Sequence, residues 1–414
     1  MKTRVDWGIM IPMSVAPLPP EPTFHCESGC DSRLRVAFDL RWLNSDPCGF
    51  NSYALNLLSA LVLAGSEFRV VALLNPGMAS LVAHHRSVRT PDFEFDYLRS
   101  SPQSPLGHFV LARSLLRRGY VILHSPLHFG VPLPSRLKVI TTVHDLRPYL
   151  FPGYSPHARS ARLHLAHCLA LRASLRSADV IITLSNATRE TIRCTFPKVE
   201  SRVRVIPGAA DPVFFEAQTP ARVALTCRRF MLERPFILYV GRRDPYRGLV
   251  PLIRAFSQIR RRGFDVMLAV AGPNEGSYVE PEAEVRRLNL LGSVRFLGTV
   301  DLDDLRALYR RAELLAFASV FEGFGLTLLE AMASGTPVVC SALSSIPEVA
   351  GKAAIYVDPS RPESIAEGMM RVLSDPKVRT ELIQRGQERA RHFVWPDIAR
   401  QVLQVYRHLL VAWR

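Results

Sequence analysis

One stretch of sequence decides the fold of this chain: residues 319–330, Ser-Val-Phe-Glu-Gly-Phe-Gly-Leu-Thr-Leu-Leu-Glu. It follows a short apolar run at residues 314–318, which predicts a buried strand, and it leads into residues 326–333, which are good helix formers. The glycines at 323 and 325 predict a tight turn between strand and helix. Backbone amides at such a turn point outward, where they can bind an anion such as phosphate.

Two glutamates, Glu322 and Glu330, flank this turn. A carboxylate repels phosphate, so we expect neither side chain to contact phosphate directly. Both can accept hydrogen bonds from hydroxyl groups, which sugars and riboses carry in number. Phosphate at the helix end with carboxylates on either side therefore indicates a sugar nucleotide. The alternative, a surface turn with two solvated glutamates, leaves the two glycines and the rest of the chain unexplained.

This stretch resembles the Glu-x7-Glu motif of the retaining glycosyltransferases of family 4, which have the GT-B fold. The resemblance rests on Glu-Gly-Phe-Gly-Leu at residues 322–326 and on Leu-Glu-Ala-Met-Ala-Ser-Gly-Thr-Pro-Val-Val at residues 329–339. It implies an α/β protein of two Rossmann-like, doubly wound domains that face each other across a cleft. The active site would lie in that cleft.

The resemblance also implies roles for the residues of the turn. Glu322 would contact hydroxyls of the transferred sugar, and Glu330 would contact the ribose of the nucleotide. Backbone amides of Phe324, Gly325 and Leu326 would contact sugar and phosphate, and Gly323 and Gly325 would let that backbone approach closely.

Composition limits the classes of function. The 414 residues suffice for two or three domains, and because no run of about 18 apolar residues occurs we predict no transmembrane helix. The formal charge of +15, carried mostly by arginine, indicates anionic partners. No nucleic-acid recognition module is recognisable, so we expect no nucleic acid among them. Seven scattered cysteines favour a reducing compartment, and we predict a cytoplasmic protein that can lie on the inner face of the membrane.

Strand and helix signals alternate in two halves of the chain, which predicts two parallel sheets. We predict a disordered, proline-rich tail at residues 1–33 and an acceptor-side domain at residues 34–212. Residues 213–234 show no clear periodicity and are predicted to be a linker. A nucleotide-sugar-binding domain follows at residues 235–393. The resemblance implies that the last helix, in residues 394–414, crosses back onto the first domain.

A basic loop follows the first strand of the second half, Gly241-Arg242-Arg243-Asp244-Pro245-Tyr246-Arg247-Gly248. It resembles the family's Gly-x-x-x-Pro-Arg-Lys-Asn/Gly loop, whose basic residues hold the donor diphosphate. The resemblance assigns Gly241, Arg242 and Arg247 to the donor. Arg247 stands where lysine is usual, and Tyr246 stands where arginine is usual. A solvated surface loop is the alternative.

Two residues of the first domain complete the predicted site. Gly49 lies in the loop after the first strand, where the family usually has Gly-Ile-Gly-Arg-Tyr and this chain has Gly-Phe-Asn-Ser-Tyr. His144 ends a predicted strand that faces the cleft. The resemblance implies that His144 contacts the donor sugar near the reaction centre and acts in catalysis with Glu322, Arg242 and Arg247. A purely structural histidine at the strand end is the alternative.

We predict no metal ion and no other cofactor. The negative charge of a departing diphosphate can be stabilised by a carboxylate-bound cation, or by arginines together with a helix dipole. Asp301 and Asp303 open a helix after a turn, which favours an N-cap with first-turn acids over a metal site. We find no carboxylate nucleophile of the retaining-glycosidase kind. The resemblance instead implies front-face departure, in which the leaving phosphate helps to deprotonate the acceptor.

We therefore predict transfer of a hexose from a nucleotide sugar to a hydroxyl group. The runs at residues 142–148 and 346–351 look like those of bacterial polysaccharide mannosyltransferases or rhamnosyltransferases, which favours GDP-mannose as the donor. The acceptor would be a saccharide, free or linked to polyprenyl diphosphate, in cell-surface polysaccharide synthesis. Two alternatives share this architecture: a sugar-nucleotide epimerase, and a scaffold that binds nucleotide sugar or lipid without turnover.

The distribution of basic residues predicts a membrane contact. Arginines at residues 113–118 and again at residues 159–176, interleaved with leucines, make parts of the first domain both basic and amphipathic. We predict that this domain docks on an anionic membrane surface, where a lipid-linked acceptor would lie. A merely solvated, arginine-rich surface is the alternative.

Overall fold

The structure is a computed structural model, and it describes residues 33–43, 49–75, 82, 93–98, 105–128, 136–150, 164–274 and 278–411. The predicted tail, up to residue 32, lies outside these residues. None of the helices described is both long and apolar enough to cross a membrane.

Seven parallel strands form the first sheet. They are β1 Leu34–Asp39, β2 Phe68–Leu74, β3 Glu94–Tyr97, β4 Tyr120–Ser125, β5 Lys138–Val143, β6 Val180–Thr183 and β7 Val203–Val205. Their order in the sheet is β3-β2-β1-β4-β5-β6-β7. The helices described in this half are α1 Gly49–Leu63, α2 Pro105–Arg117, α3 Arg147–Leu150, α4 His164–Ser177 and α5 Asn186–Thr195. The strand order reverses at β1, and ligands of such sheets bind at the carboxyl ends of the strands beside the reversal.

The second sheet has six parallel strands. They are β8 Phe236–Val240, β9 Met267–Ala271, β10 Val294–Gly298, β11 Leu314–Phe317, β12 Val338–Ser341 and β13 Ala354–Val357, in the order β10-β9-β8-β11-β12-β13. The helices are α6 Pro220–Arg229, α7 Leu249–Arg261, α8 Glu280–Arg287, α9 Leu302–Arg311, α10 Leu326–Ala333, α11 Ile346–Ala350, α12 Pro362–Ser374, α13 Pro376–Arg391 and α14 Trp395–Val411. The central strands are buried because helices cover both faces, which explains their continuous apolar runs.

The predicted fold class, two doubly wound domains, is confirmed. The apolar run at residues 314–318, predicted as a strand, forms β11 to within one residue. The edge strand β3 is an addition that the sequence analysis missed, because its four residues alternate charged and aromatic side chains and carry little apolar signal.

Residues 213–234 are not a plain linker, because they contain α6. Thr219 caps this helix by accepting a hydrogen bond from the amide of Arg222. Arg222 and Thr226 then donate to Asp304 of α9, at 2.9 and 2.6 Å. The polar side of α6 is therefore neutralised by a buried carboxylate of the second domain, and α6 packs as part of that domain.

The last helix, α14, packs on α1 of the first domain. Tyr406 Oη lies 2.8 Å from Nδ1 of the fully buried His124, and Trp395 Nε1 donates to the carbonyl of Ala210 at 3.1 Å. Burial lowers the pKa of His124 to about 3, so this histidine is neutral at any working pH. The helix thus joins the end of the chain to the first sheet through buried contacts.

Candidate active site in the cleft

The turn between β11 and α10 presses directly against the first domain. A Cβ atom at position 323 would overlap the carbonyl oxygen of His144, which follows β5. Only glycine can occupy this position without moving the two domains apart. Gly325, two residues later, has φ of 107° and begins α10 in the left-handed region. Gly323 therefore allows close approach to the first domain, and Gly325 allows the left-handed backbone conformation from which α10 starts.

Three successive carbonyl groups of this turn accept hydrogen bonds from side-chain hydroxyls. The carbonyl of Glu322 accepts from Ser344, and Ser345 Oγ lies 2.9 Å from the carbonyls of both Glu322 and Phe324. The carbonyl of Gly323 accepts from two hydroxyls of the first domain, Ser185 at 2.7 Å and Thr188 at 3.2 Å. The turn is therefore held from both domains.

With its carbonyls held in this way, the turn presents amides at the start of α10. Within the described part of the chain, the amides of Phe324, Gly325 and Leu326 have no protein acceptor. Unpaired amides at a helix N-terminus carry partial positive charge and form a binding site for an anion. These are the amides that the sequence analysis assigned to sugar and phosphate.

An ion pair lies beside these amides. Arg247 donates through Nη1 to Oε1 of Glu322, and both side chains are largely buried. Ser319 Oγ donates to the same carboxylate oxygen at 2.6 Å. The structure thus brings together the arginine of the basic loop and the first glutamate of the motif, which are separated by 75 positions in the sequence.

The second glutamate of the motif, Glu330, lies on α10 and accepts a hydrogen bond from Tyr309 Oη at 3.0 Å. Burial raises the pKa of Glu330 to about 7, the hydrogen bond from Tyr309 opposes this shift, and the charge of Asp211 adds to it. Near neutral pH this side chain is therefore divided between a carboxylate and a neutral carboxyl that can itself donate.

The remaining arginines of the basic loop point to different partners. Arg242 forms an ion pair with Asp244 at 3.2 Å. Arg243 pairs with Glu282 and lies over the ring of Phe296, 4.9 Å from its centroid. The Arg247 guanidinium lies against Gly241, where a Cβ atom would be 3.7 Å from Nη1. The structure therefore brings only Arg247 of the three arginines to Glu322.

His144 is half-buried and fixed in orientation. Its Nε2 donates to the carbonyl of Pro126 at 2.8 Å, and the rings of Phe50 and Tyr53 meet it edge-on at centroid distances of 5.7 and 5.0 Å. Burial lowers its pKa, although the hydrogen bond to Pro126 and the charge of Asp145 oppose the shift. With Nε2 protonated, Nδ1 of the neutral ring is the nitrogen left to accept a hydrogen bond.

The loop residue Gly49 also reaches the motif. A Cβ atom at this first residue of α1 would lie 3.8 Å from the Leu326 side chain, and one at Gly208 would lie 3.2 Å from it. Leu326 is therefore in contact with two first-domain segments. Cys48, just before Gly49, lies outside the described residues.

Several residues of this site were not predicted from the sequence. Ser319, Tyr309 and the hydroxyls of Ser185 and Thr188 carry no motif signal, although Ser319 stands three residues before Glu322. Arg147 is the most consequential omission, since it follows His144 closely and donates to Tyr246 of the second domain. Asp301, in contrast, behaves as predicted: its Oδ1 accepts from the amide of Asp304 at 2.8 Å and caps α9.

Among the residues described, no three His, Cys, Asp or Glu side chains cluster closely enough to hold a metal ion.

The chain matches two protein-family models, one in each domain. Residues 47–214 match the model "Glycosyltransferase Family 4", and residues 229–389 match the model "Glycosyl transferases group 1". The two matches together include every strand of the two sheets except β1, and they include the turn, the basic loop and His144.

Curated relatives of the chain are glycosyltransferases. The O-antigen chain mannosyltransferase B of Escherichia coli is 30% identical over 293 residues, which cover 70% of this chain and 74% of the relative. The D-inositol 3-phosphate glycosyltransferase of Salinispora tropica is 29% identical over 333 residues, covering 76% and 67%.

Solved structures share the fold at lower identity. The sucrose-phosphate synthase of Thermosynechococcus elongatus superposes with a TM-score of 0.71 at 23% identity, covering 92% of this chain and all of that one. HepE from Anabaena, solved with UDP and glucose, superposes with a TM-score of 0.70 at 18% identity, covering 91% and 100%.

We predict that Gly323→Ala forces the two domains apart. The added methyl group would overlap the His144 carbonyl, so the turn could no longer seat against the first domain. Small-angle X-ray scattering should show a larger radius of gyration than in the wild type. Gly292→Ala is the matched control, because a methyl group there meets nothing within 4 Å. An unchanged radius of gyration for Gly323→Ala would contradict this prediction.

We predict a pH-dependent gain of stability in Glu330→Gln. The pKa of Glu330 is raised to about 7 in the native state, so the unfolded chain releases this proton at lower pH than the native state does. The native state therefore loses stability as pH rises from the ordinary glutamate pKa to about 7. Glutamine has no charge to bury, so its advantage should grow by about 3 kcal/mol over that interval. Urea unfolding between pH 5 and 8 measures this, with the exposed Glu381→Gln as control. A difference that does not change with pH would show the prediction to be wrong.

Proposed function

Because the chain belongs to the family-4 glycosyltransferases of the GT-B fold, we propose that it transfers a hexose from a nucleotide sugar to a hydroxyl group with retention of configuration. The donor we favour is GDP-mannose, and the product belongs to cell-surface polysaccharide synthesis. The name of the Escherichia coli relative, an O-antigen chain mannosyltransferase, supports this choice of sugar and process.

The observation that carries the proposal is the Arg247–Glu322 pair beside the free amides of α10. A donor diphosphate would accept hydrogen bonds from the amides of Phe324, Gly325 and Leu326. Arg247 would exchange Glu322 for a phosphate oxygen, since a diphosphate offers more negative charge than one carboxylate. Glu322, released from Arg247, would then accept hydrogen bonds from hydroxyls of the sugar.

In the proposed reaction the acceptor hydroxyl attacks the anomeric carbon on the face from which the diphosphate leaves. The bond from the anomeric carbon to the phosphate oxygen breaks, and a bond to the acceptor oxygen forms on the same face. The acceptor proton passes to the departing phosphate oxygen. The protein contributes orientation and stabilisation of the leaving negative charge, and Arg247 with the helix amides supplies that charge stabilisation without a metal ion.

His144 and Glu330 complete the donor site in this proposal. Nδ1 of the neutral His144 would accept a hydrogen bond from the donor sugar, because Nε2 is already bonded to Pro126. Glu330 of α10, which accepts a hydrogen bond from Tyr309 of α9, would contact the ribose. Arg242 and Gly49 would lie at the margins of the site, on the basic loop and on α1 respectively.

We further propose that the acceptor is lipid-linked and that the first domain docks on an anionic membrane. Helices α2 and α4 lie on one face of the first sheet, because Leu123 beneath α2 and Val139 beneath α4 are register neighbours. Helix α1 covers the opposite face with Val36 and Phe38. The outer sides of α2 and α4 therefore belong to one surface of the domain.

This surface combines exposed apolar and basic side chains, as membrane-binding surfaces do. Its exposed side chains include Val110, Arg113, Leu116 and Arg117 on α2, and Leu169, Arg172 and Arg176 on α4. Leu171 instead packs in the core, so only part of the leucine pattern faces outward. Arg159 and Arg162 lie outside the described residues.

The enzymatic proposal predicts that Glu322→Ala and Arg247→Ala each lower transfer by on the order of 100-fold or more, because each removes a group that orients the donor or stabilises charge. Release of nucleoside diphosphate, measured across a panel of nucleotide sugars in the presence of EDTA, is the assay. Glu381→Ala, on an exposed helix, is the control. Near-normal turnover in either site variant, or activity that EDTA abolishes and manganese restores, would contradict the proposed chemistry.

The membrane proposal predicts that Arg113→Glu/Arg117→Glu weakens binding to anionic liposomes by at least about tenfold, since each basic residue contributes about 1 kcal/mol at such a surface. Flotation with phosphatidylglycerol-containing liposomes at increasing salt measures this. Arg371→Glu/Arg391→Glu changes the net charge equally on exposed helices of the second domain and should bind like the wild type. Equal recovery with neutral and anionic liposomes would remove this proposal and leave the donor site untouched.

A further inference from the structure

An arginine of the first domain lies across the cleft on a tyrosine of the basic loop. Arg147 begins α3, three residues after His144, and its Cζ is 4.5 Å from the ring centroid of Tyr246. Its Nη1 donates to Tyr246 Oη. The contact joins positions 99 residues apart, one in each domain.

Arg247 approaches the same hydroxyl. Its Nε donates to Tyr246 Oη at 3.0 Å, and its Cζ lies 5.2 Å from the ring centroid. Two guanidinium groups therefore converge on one neutral oxygen. Two like charges that share one hydrogen-bond acceptor repel each other. A neutral hydroxyl offsets this repulsion less than an anionic oxygen would.

Each of the two cations is balanced by a carboxylate of its own domain. Asp145 lies 3.3 Å from Arg147, and Glu322 pairs with Arg247. Both carboxylates lie at the turn that carries the open amides of α10, since Glu322 directly precedes Gly323 and a Cβ atom at Gly323 would be 3.0 Å from Asp145 Cβ. An incoming phosphate would find two arginines close enough to share its oxygens, each able to leave its carboxylate.

The residue between these arginines, Tyr246, stands where the resembling loops carry an arginine. The second domain of this chain therefore lacks one cation of the usual loop, while Arg147 brings a cation of the first domain onto that position. Arg147 thus places a positive charge at the position where the loop sequence itself no longer has one.

We propose that Arg147 is a ligand of the donor diphosphate supplied by the first domain. The inference rests on the proposed function, since it assumes a nucleotide-sugar donor at this cleft. Arg147 and Arg247 share the Tyr246 hydroxyl, and Arg247 holds Glu322, the carboxylate assigned to the sugar. We therefore assign Arg147 to the phosphate that carries the sugar. Binding of that phosphate then requires both domains, so the full diphosphate site forms only when the cleft is closed.

Calorimetric binding of GDP and GMP tests this assignment. Arg147→Ala should weaken GDP by at least about tenfold, the lower range for a lost hydrogen bond to a charged group, while GMP binding stays unchanged. Arg35→Ala is the matched control: Arg35 also donates to a tyrosine, Tyr120 Oη at 3.1 Å, and lies over its ring, but at the amino end of β1.

Two further variants separate a phosphate ligand from a mere interdomain contact. Tyr246→Phe removes the shared hydroxyl and leaves both guanidinium groups, so GDP should bind nearly as in the wild type. Tyr246→Arg in the Arg147→Ala background returns a cation to the loop and should recover GDP affinity. Thermal unfolding of each variant verifies that it is folded.

Several results would overturn the assignment. Arg147→Ala that binds GDP like the wild type, or that loses GDP and GMP equally, would show that Arg147 does not contact the second phosphate. Loss of GDP binding in Tyr246→Phe would assign the effect to the interdomain hydrogen bond. A wild-type protein that binds neither GDP nor UDP would overturn the donor site itself, and this inference with it.

Discussion

The contact between Gly323 and the His144 carbonyl is the constraint on which the rest of the site depends. It allows the turn of the second domain to touch the first domain with backbone alone. Hydroxyls of Ser185 and Thr188 then reach the Gly323 carbonyl, while Ser344 and Ser345 hold its neighbours from the other side. Because all three carbonyls are engaged, the orientation of the turn is fixed. The amides of Phe324, Gly325 and Leu326 are thereby presented at the N-terminus of α10.

The chemistry of the cleft follows from how its charges are balanced before any donor binds. Glu322 accepts from both Arg247 and Ser319, and Asp145 pairs with Arg147. In the proposed function, a diphosphate that enters would take Arg247 and Arg147 from these carboxylates, and Glu322 would become an acceptor for sugar hydroxyls. The donor would then exchange partners among groups that are already in place, with little reorganisation of the protein.

Much of the fold and the centre of the site were predictable from sequence because both depend on local patterns. Apolar runs such as residues 314–317 and the spacing of Glu322 from Glu330 lie within one strand–turn–helix unit. The contacts that join the domains are different, since His124–Tyr406, Ser185–Gly323 and Arg147–Tyr246 span 282, 138 and 99 positions. No periodicity within one element records such pairs.

The errors have physical reasons as well. Helix α6 was hidden because three of its ten residues, Arg222, Thr226 and Arg229, bond to Asp304 of another helix. Thr219 and Pro220 nevertheless give an ordinary helix start. The basic loop contains three arginines, of which the prediction assigned Arg242 and Arg247 to the donor. In the structure Arg242 pairs with Asp244, and only Arg247 pairs with Glu322. Composition indicates that charge is present, while only the fold determines which charge meets which partner.

The measurement that tests this account most directly is a crystal structure of the protein with a bound nucleoside diphosphate. The account predicts diphosphate oxygens within hydrogen-bond distance of the amides of Phe324, Gly325 and Leu326. It also predicts that Arg247 has turned from Glu322 to phosphate, which leaves the carboxylate facing the cleft. A diphosphate bound elsewhere, or an Arg247–Glu322 pair unchanged beside the bound nucleotide, would contradict it.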